Sequence, residues 1–293
     1  MHLDKNEQVI VTGGAGFIGA NLIKRLLQEG HKVISIDNYT TGSFLNHQEG
    51  ALYVDADIRS MPRWAAVTGY IQPSIIFHLA ALPRIQPSFD NPYHTFSHNT
   101  EGSLLIAELA RKHNAKVIYA GSSSRWHNPY RSPYACFKHM GEEVFKLYRQ
   151  VYDLDAEIVR FYNVYGPYEI TEGDWAAVIG KWRYQIQQNH YITIVGDGEQ
   201  RRDFTHVDDI VDGLYRIAMS DEKHEDAWEL GTGVHYSINE VYQMFYQRFG
   251  RECVYVPDQK GNYRKTLREN NDALQRLGWQ PQDRLAKYIS ELI

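Results

Sequence analysis

Residues 11–19 read Val-Thr-Gly-Gly-Ala-Gly-Phe-Ile-Gly. The run follows a short apolar stretch at 8–11 that predicts a buried strand, and it leads into 17–29, where apolar residues recur at helical spacing. Glycines in such a run let the chain turn tightly, let its backbone approach a pyrophosphate, and let the helix pack closely against the strand. The N-terminus of the helix would offer free N–H groups to the phosphates. The stretch therefore predicts a dinucleotide-binding turn built on Gly13, Gly16 and Gly19.

A carboxylate follows the next predicted strand. Residues 33–36 are followed by Asp37, about 20 residues beyond the last of the three glycines, where an acidic side chain typically holds the ribose hydroxyls of the adenosine. The negative charge of Asp37 would repel the 2′-phosphate of NADP. We therefore expect NAD as the cofactor.

The composition excludes several classes of protein. The 293-residue chain carries a formal net charge of −5, so nucleic acid is not expected as a main partner. Its two cysteines, Cys136 and Cys253, are too few and too scattered for a disulfide framework or a zinc site, and no metal site is predicted. The N-terminal residues are polar, and no apolar run approaches membrane-spanning length. We expect a cytoplasmic protein without membrane association.

Strand-like and helix-like stretches alternate through the first two thirds of the chain. The predicted strands are 8–12, 32–37, 52–54, 74–80, 116–121 and 156–161. The predicted helices lie near 17–29, 61–70, 100–112 and 134–152. The alternation predicts an α/β fold with a Rossmann-type, doubly wound parallel sheet. We expect an NAD-binding domain over 1–165 with a returning segment near 205–230, and a smaller, partly interleaved C-terminal substrate lobe, mainly 166–293.

A second informative feature is the pair formed by Tyr134 and Lys138. On a helix these side chains lie one turn apart on the same face. The pair opens the helix predicted after the fifth strand, and that strand ends in Ser122-Ser123-Ser124. Because the carboxyl ends of parallel strands border the ligand crevice, the serine and tyrosine hydroxyls are expected to converge beside the nicotinamide ring.

These side chains suit proton transfer with a sugar hydroxyl. Tyrosine has a reference pKa near 10, and a neighbouring ammonium together with the positive nicotinamide would lower the pKa of Tyr134. Tyr134 could then take a proton while the cofactor oxidises the same carbon. Lys138 is also expected to hydrogen-bond the nicotinamide ribose. Ser122, or its neighbour Ser123, would relay the proton.

Ordered motifs extend from about residue 8 to Trp279. They are the glycine run at 12–19, Asp37-Asn38, His78-Leu79-Ala80-Ala81, the serine run, the Tyr134/Lys138 pair, Arg160-Phe161-Tyr162-Asn163-Val164-Tyr165-Gly166-Pro167 and Arg202-Asp203-Phe204. Together they resemble the extended short-chain dehydrogenase/reductase family. Within it, the chain is most similar to NAD-dependent nucleotide-sugar epimerases and dehydratases, especially UDP-sugar 4-epimerases.

The resemblance implies further site residues. The glycines, Asp37, Tyr134 and Lys138 are already assigned to cofactor binding. The resemblance adds Phe17, Ile18, Asn38, Asp57, Ile58, Leu79, Ala80, Ala81 and Asn99. It implies that Asn163 and Arg202 contact a nucleotide-diphosphate sugar, with the guanidinium of Arg202 on the diphosphate. It also implies a homodimer that pairs helices 100–112 and 134–152, with apolar contacts from Leu104, Leu105, Phe145 and Tyr148.

The resemblance also bears on the reaction. Family dehydratases carry an Asp and a Glu directly after the catalytic hydroxyl residue, and related decarboxylases keep a Glu there, whereas this chain has Ser123 and Ser124. The serines favour an epimerase that inverts C4 of a UDP-hexose or related sugar nucleotide through a 4-keto intermediate. The alternatives are a 4,6-dehydratase, a decarboxylase, a 3,5-epimerase/reductase, or a non-catalytic NAD-sensing protein. Where the family usually has Val-Tyr-Gly, this chain has Arg125-Trp126-His127, which would reshape the roof of the pocket.

Overall fold

The structure is a computed structural model that describes residues 8–60 and 72–293. Its strands are β1 (Gln8–Thr12), β2 (Lys32–Asp37), β3 (Leu52–Asp55), β4 (Pro73–His78), β5 (Lys116–Ala120), β6 (Ala156–Phe161), β7 (Val164–Tyr165), β8 (Ile192–Val195), β9 (Arg201–Asp203), β10 (Thr205–His206), β11 (Trp228–Leu230), β12 (His235–Ser237), β13 (Cys253–Val256) and β14 (Lys265–Thr266).

The α-helices in the same part of the chain are α1 (Phe17–Gln28), α2 (Ile85–Asp90), α3 (Pro92–Phe96), α4 (Gly102–His113), α5 (Pro133–Tyr152), α6 (Val178–Gln187), α7 (Val207–Met219), α8 (Ile238–Phe249), α9 (Asp272–Leu277) and α10 (Leu285–Glu291). A π-helical turn, Ser97–Glu101, joins α3 to α4. The helix predicted over 61–70 lies outside the described residues.

Seven parallel strands form the central sheet, in the order β11-β6-β5-β4-β1-β2-β3. This order confirms the predicted doubly wound α/β fold. Successive residues of a strand face opposite sides, so Ile76 and Val117 enter one apolar core with α4 and α5, whereas Ile75 and Ile118 enter the other with α1 and α7. Two covered faces explain why the central strands are apolar throughout.

The chain leaves the central sheet after β6 and later returns to it through α7 and β11. Helix α7 packs on the same face as α1, and β11 extends the sheet by pairing in parallel with β6. The ammonium of Lys116, at the start of β5, donates hydrogen bonds to the carbonyls of Ile217, Ala218 and Ser220 at the end of α7. A cation at a helix C-terminus satisfies its free carbonyls and complements its dipole, so Lys116 fastens the returning helix to the sheet.

A smaller lobe has its own apolar core. Helices α6, α8 and α10 pack around Trp182 and Phe245, whose rings meet edge to face with centroids 5.3 Å apart. Short sheets, β8 with β13 and β9 with β12 and β14, support the lobe. Between this lobe and the carboxyl ends of the central strands lies the cavity described below.

Helices α4 and α5 lie side by side against the sheet. Phe145 and Tyr148, predicted as contacts to a second subunit, are instead buried in the core of their own chain, so that prediction was wrong for both. They occupy the sheet-facing side of α5, which sequence periodicity alone does not distinguish from a partner-facing side. The large apolar side chains that α5 does expose are Met140, Leu147, Val151 and Tyr152, each 42–55% accessible. No helix within the described residues is long and apolar enough to cross a bilayer.

Candidate active site

A cavity of about 620 Å³ lies at the carboxyl edge of the sheet. Most of the residues that the sequence assigns to the site line it: Gly13, Gly16, Phe17, Ile18, Gly19, Asp37, Asn38, Ile58, Leu79, Ala80, Ala81, Ser122, Ser123, Tyr134, Asn163 and Arg202. Asp57, Asn99 and Lys138 are not among its lining residues. The cavity therefore brings both predicted halves of the site, cofactor and substrate, into one space.

The glycine turn at one end of the cavity leaves no room for side chains. Gly13 has a φ of +73°, and a Cβ there would lie 2.8 Å from the backbone nitrogen of Ala80. A Cβ on Gly19 would lie 2.1 Å from the carbonyl oxygen of Gly13. Helix α1 begins after Gly16 without a side-chain cap or an acidic residue in its first turn, so its N–H groups and dipole are free for a phosphate. This turn fits the pyrophosphate of a dinucleotide.

The carboxylate of Asp37 stands at the end of β2, beside this turn. It accepts hydrogen bonds from the backbone N–H groups of Ala15 (2.9 Å) and Tyr39 (2.8 Å). Burial raises the pKa of Asp37, and these backbone hydrogen bonds act in the opposite direction. Two fixed donors orient the carboxylate at the cavity wall, where a ribose would present its hydroxyls.

Asp57 is set back from the cavity. Both of its oxygens accept hydrogen bonds from the guanidinium of Arg59, which holds the pKa of Asp57 well below its usual range. One oxygen also accepts a hydrogen bond of 2.9 Å from the side-chain amide of Asn38, which does line the cavity. Asp57 therefore orients Asn38.

Asn99 has an internal role that the sequence-based prediction did not foresee. Its side-chain oxygen accepts from the backbone N–H of Leu82 (2.8 Å), and its nitrogen donates to the Leu82 carbonyl (3.0 Å). Asn99 is buried, and both ends of its amide are used in this way. It thus fixes the loop after β4, and its predicted direct contact with the cofactor has no counterpart among the cavity-lining residues.

Tyr134 and the serine run meet as predicted. The Tyr134 hydroxyl donates to Ser122 Oγ at 3.4 Å, and Ser122 Oγ is 2.8 Å from Ser124 Oγ. Ser123 lines the cavity, but the hydroxyl bonded to Tyr134 is that of Ser122. Lys138 points beneath the cavity, where its ammonium donates to the Ala120 carbonyl at 2.5 Å.

Burial affects the pKa values of both predicted catalytic side chains. Burial raises the pKa of Tyr134 above its ordinary value, and the hydrogen bond with Ser122 and the charge of Arg84 act to lower it. Burial also lowers the pKa of the Lys138 ammonium to about 8. Desolvation, which a sequence pattern does not reveal, thus opposes the lowering predicted from Lys138 and the positive nicotinamide together. That lowering stays a prediction.

A buried charge network beside α5 was not predicted from the sequence. Glu142, one turn beyond Lys138, accepts from the backbone N–H of Ser122 (3.3 Å) and from Arg160 (2.7 Å). Arg160 also bonds Asp226 at 2.7 Å. The available signal was the repeat of Tyr134, Lys138 and Glu142 every fourth residue, together with an arginine inside the apolar strand β6.

Three cavity-lining side chains were also missed: Arg84, Glu169 and Tyr263. Glu169 bonds Arg183 at 3.1 Å, and burial raises the pKa of Glu169 to about 7. The Tyr263 ring stacks on His127, with centroids 4.0 Å apart. This stacking attaches the unusual Arg125-Trp126-His127 segment to the cavity wall. The ring contact has no local sequence signal, because His127 and Tyr263 lie far apart in the chain.

Two further lining side chains, Asn163 and Arg202, are those predicted to contact the substrate. Asn163, with a φ of +22°, donates to Thr266 Oγ1 at 2.9 Å. Arg202 donates to the side-chain oxygen of Asn262 at 2.6 Å and makes no ion pair with any carboxylate in the ranges 8–60 and 72–293. Burial lowers the pKa of Arg202 to about 10. A guanidinium without an anionic protein partner at a cavity wall suits a phosphate ligand.

Comparison with known proteins agrees with this geometry. The model of the NAD dependent epimerase/dehydratase family matches residues 9–231. The chain belongs to this family. Its cofactor is therefore NAD, which confirms the prediction from the glycine run and Asp37.

Relatives of this family member align over nearly the whole chain. It is 33% identical to a UDP-glucose 4-epimerase of Mycolicibacterium smegmatis, over 98% of this chain and 97% of the relative. It is 30% identical to a putative UDP-glucose 4-epimerase of Methanocaldococcus jannaschii, over 97% of each chain. Among solved structures, the UDP-glucose 4-epimerase of Thermotoga maritima with UDP-glucose superimposes with a TM-score of 0.90, at 28% identity, over 97% of this chain and 96% of that one.

The glycine turn yields a test of NAD binding in this family member. We expect Gly13→Ala to lose bound NAD and to lower the free energy of unfolding, because its Cβ would meet the backbone of Ala80. Gly30→Ala is a matched control, since Gly30 also has a positive φ (+88°) but nothing within 4 Å of its Cβ. That control should cost about 1–2 kcal/mol and keep NAD. Denaturant unfolding and cofactor extraction measure both effects, and equal NAD content in the two variants would contradict the steric explanation.

Proposed function

We propose that the protein is an NAD-dependent 4-epimerase, an isomerase that inverts C4 of a UDP-hexose or a related sugar nucleotide. The observation that carries the proposal is the composition of the wall beside Tyr134. Ser122, Ser123 and Ser124 line it, and Ser124 Oγ is bonded to Ser122 Oγ. Family dehydratases have an Asp and a Glu where this chain has Ser123 and Ser124. Two serines cannot perform the acid/base chemistry of that carboxylate pair. The UDP-glucose 4-epimerases among the relatives support the same conclusion.

Residues of this chain divide the work between binding and proton transfer. The glycine turn and the N-terminus of α1 would hold the NAD pyrophosphate, and Asp37 would hold the adenosine ribose. When bound, NAD supplies the oxidation and re-reduction of the substrate carbon. Tyr134 would remove the proton of the C4 hydroxyl and return it, and Ser122, which accepts a hydrogen bond from the Tyr134 hydroxyl, would bridge the two oxygens.

The remaining site residues would orient the two ligands. Lys138 would turn from the Ala120 carbonyl to the nicotinamide ribose. Arg202 would hold the diphosphate of the sugar nucleotide, because its two terminal nitrogens bond neutral groups, one a backbone carbonyl and the other the amide oxygen of Asn262. Asn163 would contact the same ligand from the end of β6.

One observation favours a second candidate. Glu169 lines the cavity, and its pKa of about 7 would let it exchange a proton at neutral pH. A carboxyl group of this kind could remove a proton from C5 of a 4-keto sugar, which is the chemistry of a 3,5-epimerase or of an elimination. Arg183 and Tyr288 hold Glu169, however, and these hydrogen bonds restrict its reach.

Isotope incorporation distinguishes the two reactions. We expect UDP-glucose and UDP-galactose to interconvert in deuterated water with no solvent deuterium at carbon, because a 4-epimerase transfers only the hydroxyl proton to solvent. NMR of the recovered sugar nucleotide provides the measurement, and GDP-, dTDP- and CDP-sugars test the nucleotide. Deuterium at C3 or C5 would instead indicate enolisation and would replace the 4-epimerase with the second candidate.

The proton-transfer role is tested at Tyr134. Tyr134→Phe should keep the fold and the bound NAD, because one hydroxyl is lost, and should lower kcat by roughly 10² or more. Ser122→Ala should have a smaller effect, since Tyr134 can still reach the substrate hydroxyl. Tyr130→Phe removes the same group from an exposed tyrosine and should leave kcat unchanged. Wild-type turnover in Tyr134→Phe would exclude Tyr134 as the base.

We also propose a homodimer that pairs α4 and α5 with their copies in a second chain. The contacts on α5 differ from those first expected. Besides Leu104 on α4, the exposed apolar residues are Tyr152 and a stripe formed by Met140, Leu147 and Val151 on α5. The stripe residues are spaced by seven and four positions, which places them on one face of the helix.

A charge in this stripe tests the dimer. Leu147→Glu should give a monomer in light scattering at micromolar concentration, because a carboxylate would be buried against the partner helix. Leu45→Glu, at an exposed leucine outside the two helices, should leave the mass unchanged. A monomeric wild-type protein would contradict the proposal.

A further inference from the structure

His98 lines the cavity and leaves one of its ring nitrogens unused. It belongs to the π-helical turn Ser97–Glu101, and its side chain is only 8% exposed. Nδ1 lies 2.9 Å from the backbone carbonyl oxygen of His94, whereas Nε2 is buried and has no hydrogen-bond partner among residues 8–60 and 72–293. Buried polar atoms of native proteins are nearly always hydrogen-bonded. The unused nitrogen therefore indicates a partner that a ligand supplies.

The contact with His94 fixes the tautomer of the His98 ring. A carbonyl oxygen can only accept, so Nδ1 of His98 must carry the hydrogen and donate it. Burial lowers the pKa of His98 despite this hydrogen bond, so the ring is neutral at physiological pH. In a neutral ring with the hydrogen on Nδ1, Nε2 carries a lone pair. The ligand group that fits Nε2 is therefore a hydrogen-bond donor.

Direct contacts place His98 beside the segment that follows β3. Its Nε2 lies 3.9 Å from Asp57 Oδ2, which is too far for a hydrogen bond. The same oxygen of Asp57 accepts a hydrogen bond from Asn38, which lines the cavity. Arg59 joins the two segments, because its guanidinium donates both to Asp57 (2.6 Å) and to Ser97 Oγ (2.9 Å). The π-helical turn is thereby fixed at the end of the cavity where Asn38 lies.

The donors that NAD offers at this end belong to its adenosine. They are the ribose hydroxyls and the 6-amino group of the adenine. Asp37, directly before Asn38, provides the carboxylate for the ribose hydroxyls. Ala56 and Ile58, which follow β3, line the cavity together with His98 and offer the base an apolar surface. The 6-amino group is thus the donor that matches the lone pair of His98.

We infer that His98 binds the adenine of NAD, with Nε2 accepting a hydrogen bond from the 6-amino group. The family resemblance assigned cofactor binding in this region to Asp57. Asp57 is not among the lining residues, however, and each of its oxygens already accepts two hydrogen bonds, from Asn38 and Arg59. A carboxylate has about four acceptor positions, so those of Asp57 are filled. Nε2 of His98 is the neighbouring acceptor with no partner in the ranges 8–60 and 72–293.

Competition between NAD and nicotinamide hypoxanthine dinucleotide tests the inference. Hypoxanthine has a carbonyl in place of the 6-amino group and would present an acceptor to the lone pair of Nε2. The NAD-loaded protein is equilibrated with an equimolar excess of both dinucleotides, and the bound dinucleotides are extracted and quantified by chromatography. We expect the wild type to prefer NAD at least about tenfold, because two buried acceptors that face each other form no hydrogen bond.

Substitution of His98 assigns this preference to Nε2. His98→Asn removes the acceptor, while its amide nitrogen can replace Nδ1 as the donor to His94, and it should lower the preference for NAD about tenfold. His190→Asn makes the same change at an exposed histidine outside the cavity and should keep the wild-type preference. An unchanged preference in His98→Asn would overturn the inference. So would an equal loss of both dinucleotides, which would indicate that His98 contacts the ribose or only supports the wall.

Nitrogen-15 NMR of the histidine rings tests the same contact in the wild-type protein. Nε2 of His98 should be unprotonated when either dinucleotide is bound, and its resonance should differ between the two complexes, because only NAD donates a hydrogen bond to it. A protonated Nε2, or the same Nε2 resonance in both complexes, would overturn the inference. Neither measurement involves turnover, so both report on His98 even if the proposed epimerase reaction fails.

Discussion

The buried pair between Arg160 and Glu142 determines how the catalytic helix meets the sheet. Each side chain is 1% exposed, and the guanidinium donates to the carboxylate at 2.7 Å. Such a pair adds little net stability, since desolvation offsets its attraction, but removing one partner typically costs about 3–5 kcal/mol. Its main effect is therefore geometric. It permits one position of α5 over β6, the position in which Glu142 also accepts the backbone N–H of Ser122.

This constraint sets the positions of Ser122 and Tyr134. Ser122 is held at the end of β5 by Glu142, and Tyr134 lies two turns before Glu142 on the same face of α5. The network continues through Asp226 to the returning strand β11, so the segment that closes the sheet and the helix that carries Tyr134 are joined. The ring of the unusual Trp126 lies over Arg160 and its nitrogen bonds Glu229. The segment Arg125-Trp126-His127 is thus attached to the same network.

The sequence predicts the strands of this structure better than the contacts between its side chains. Strands β1, β2 and β6 have the predicted bounds, because their apolar runs are bordered by clear turn residues. The sequence could not show which face of α5 is buried, so Phe145 and Tyr148 were misplaced. It could not show that Asn99 bonds Leu82, or that Arg84 bonds Trp175, since loop conformation decides both. Long-range burial also sets the pKa values of Tyr134 and Glu169.

The charges around the cavity form a consistent pattern from end to end. Asp37 provides a carboxylate where a ribose would lie, and the free N–H groups of α1 provide positive potential where the first pyrophosphate would lie. Arg202, also in the cavity wall, makes no ion pair with a carboxylate in the ranges 8–60 and 72–293, so the phosphate of a ligand would supply the anion that it lacks.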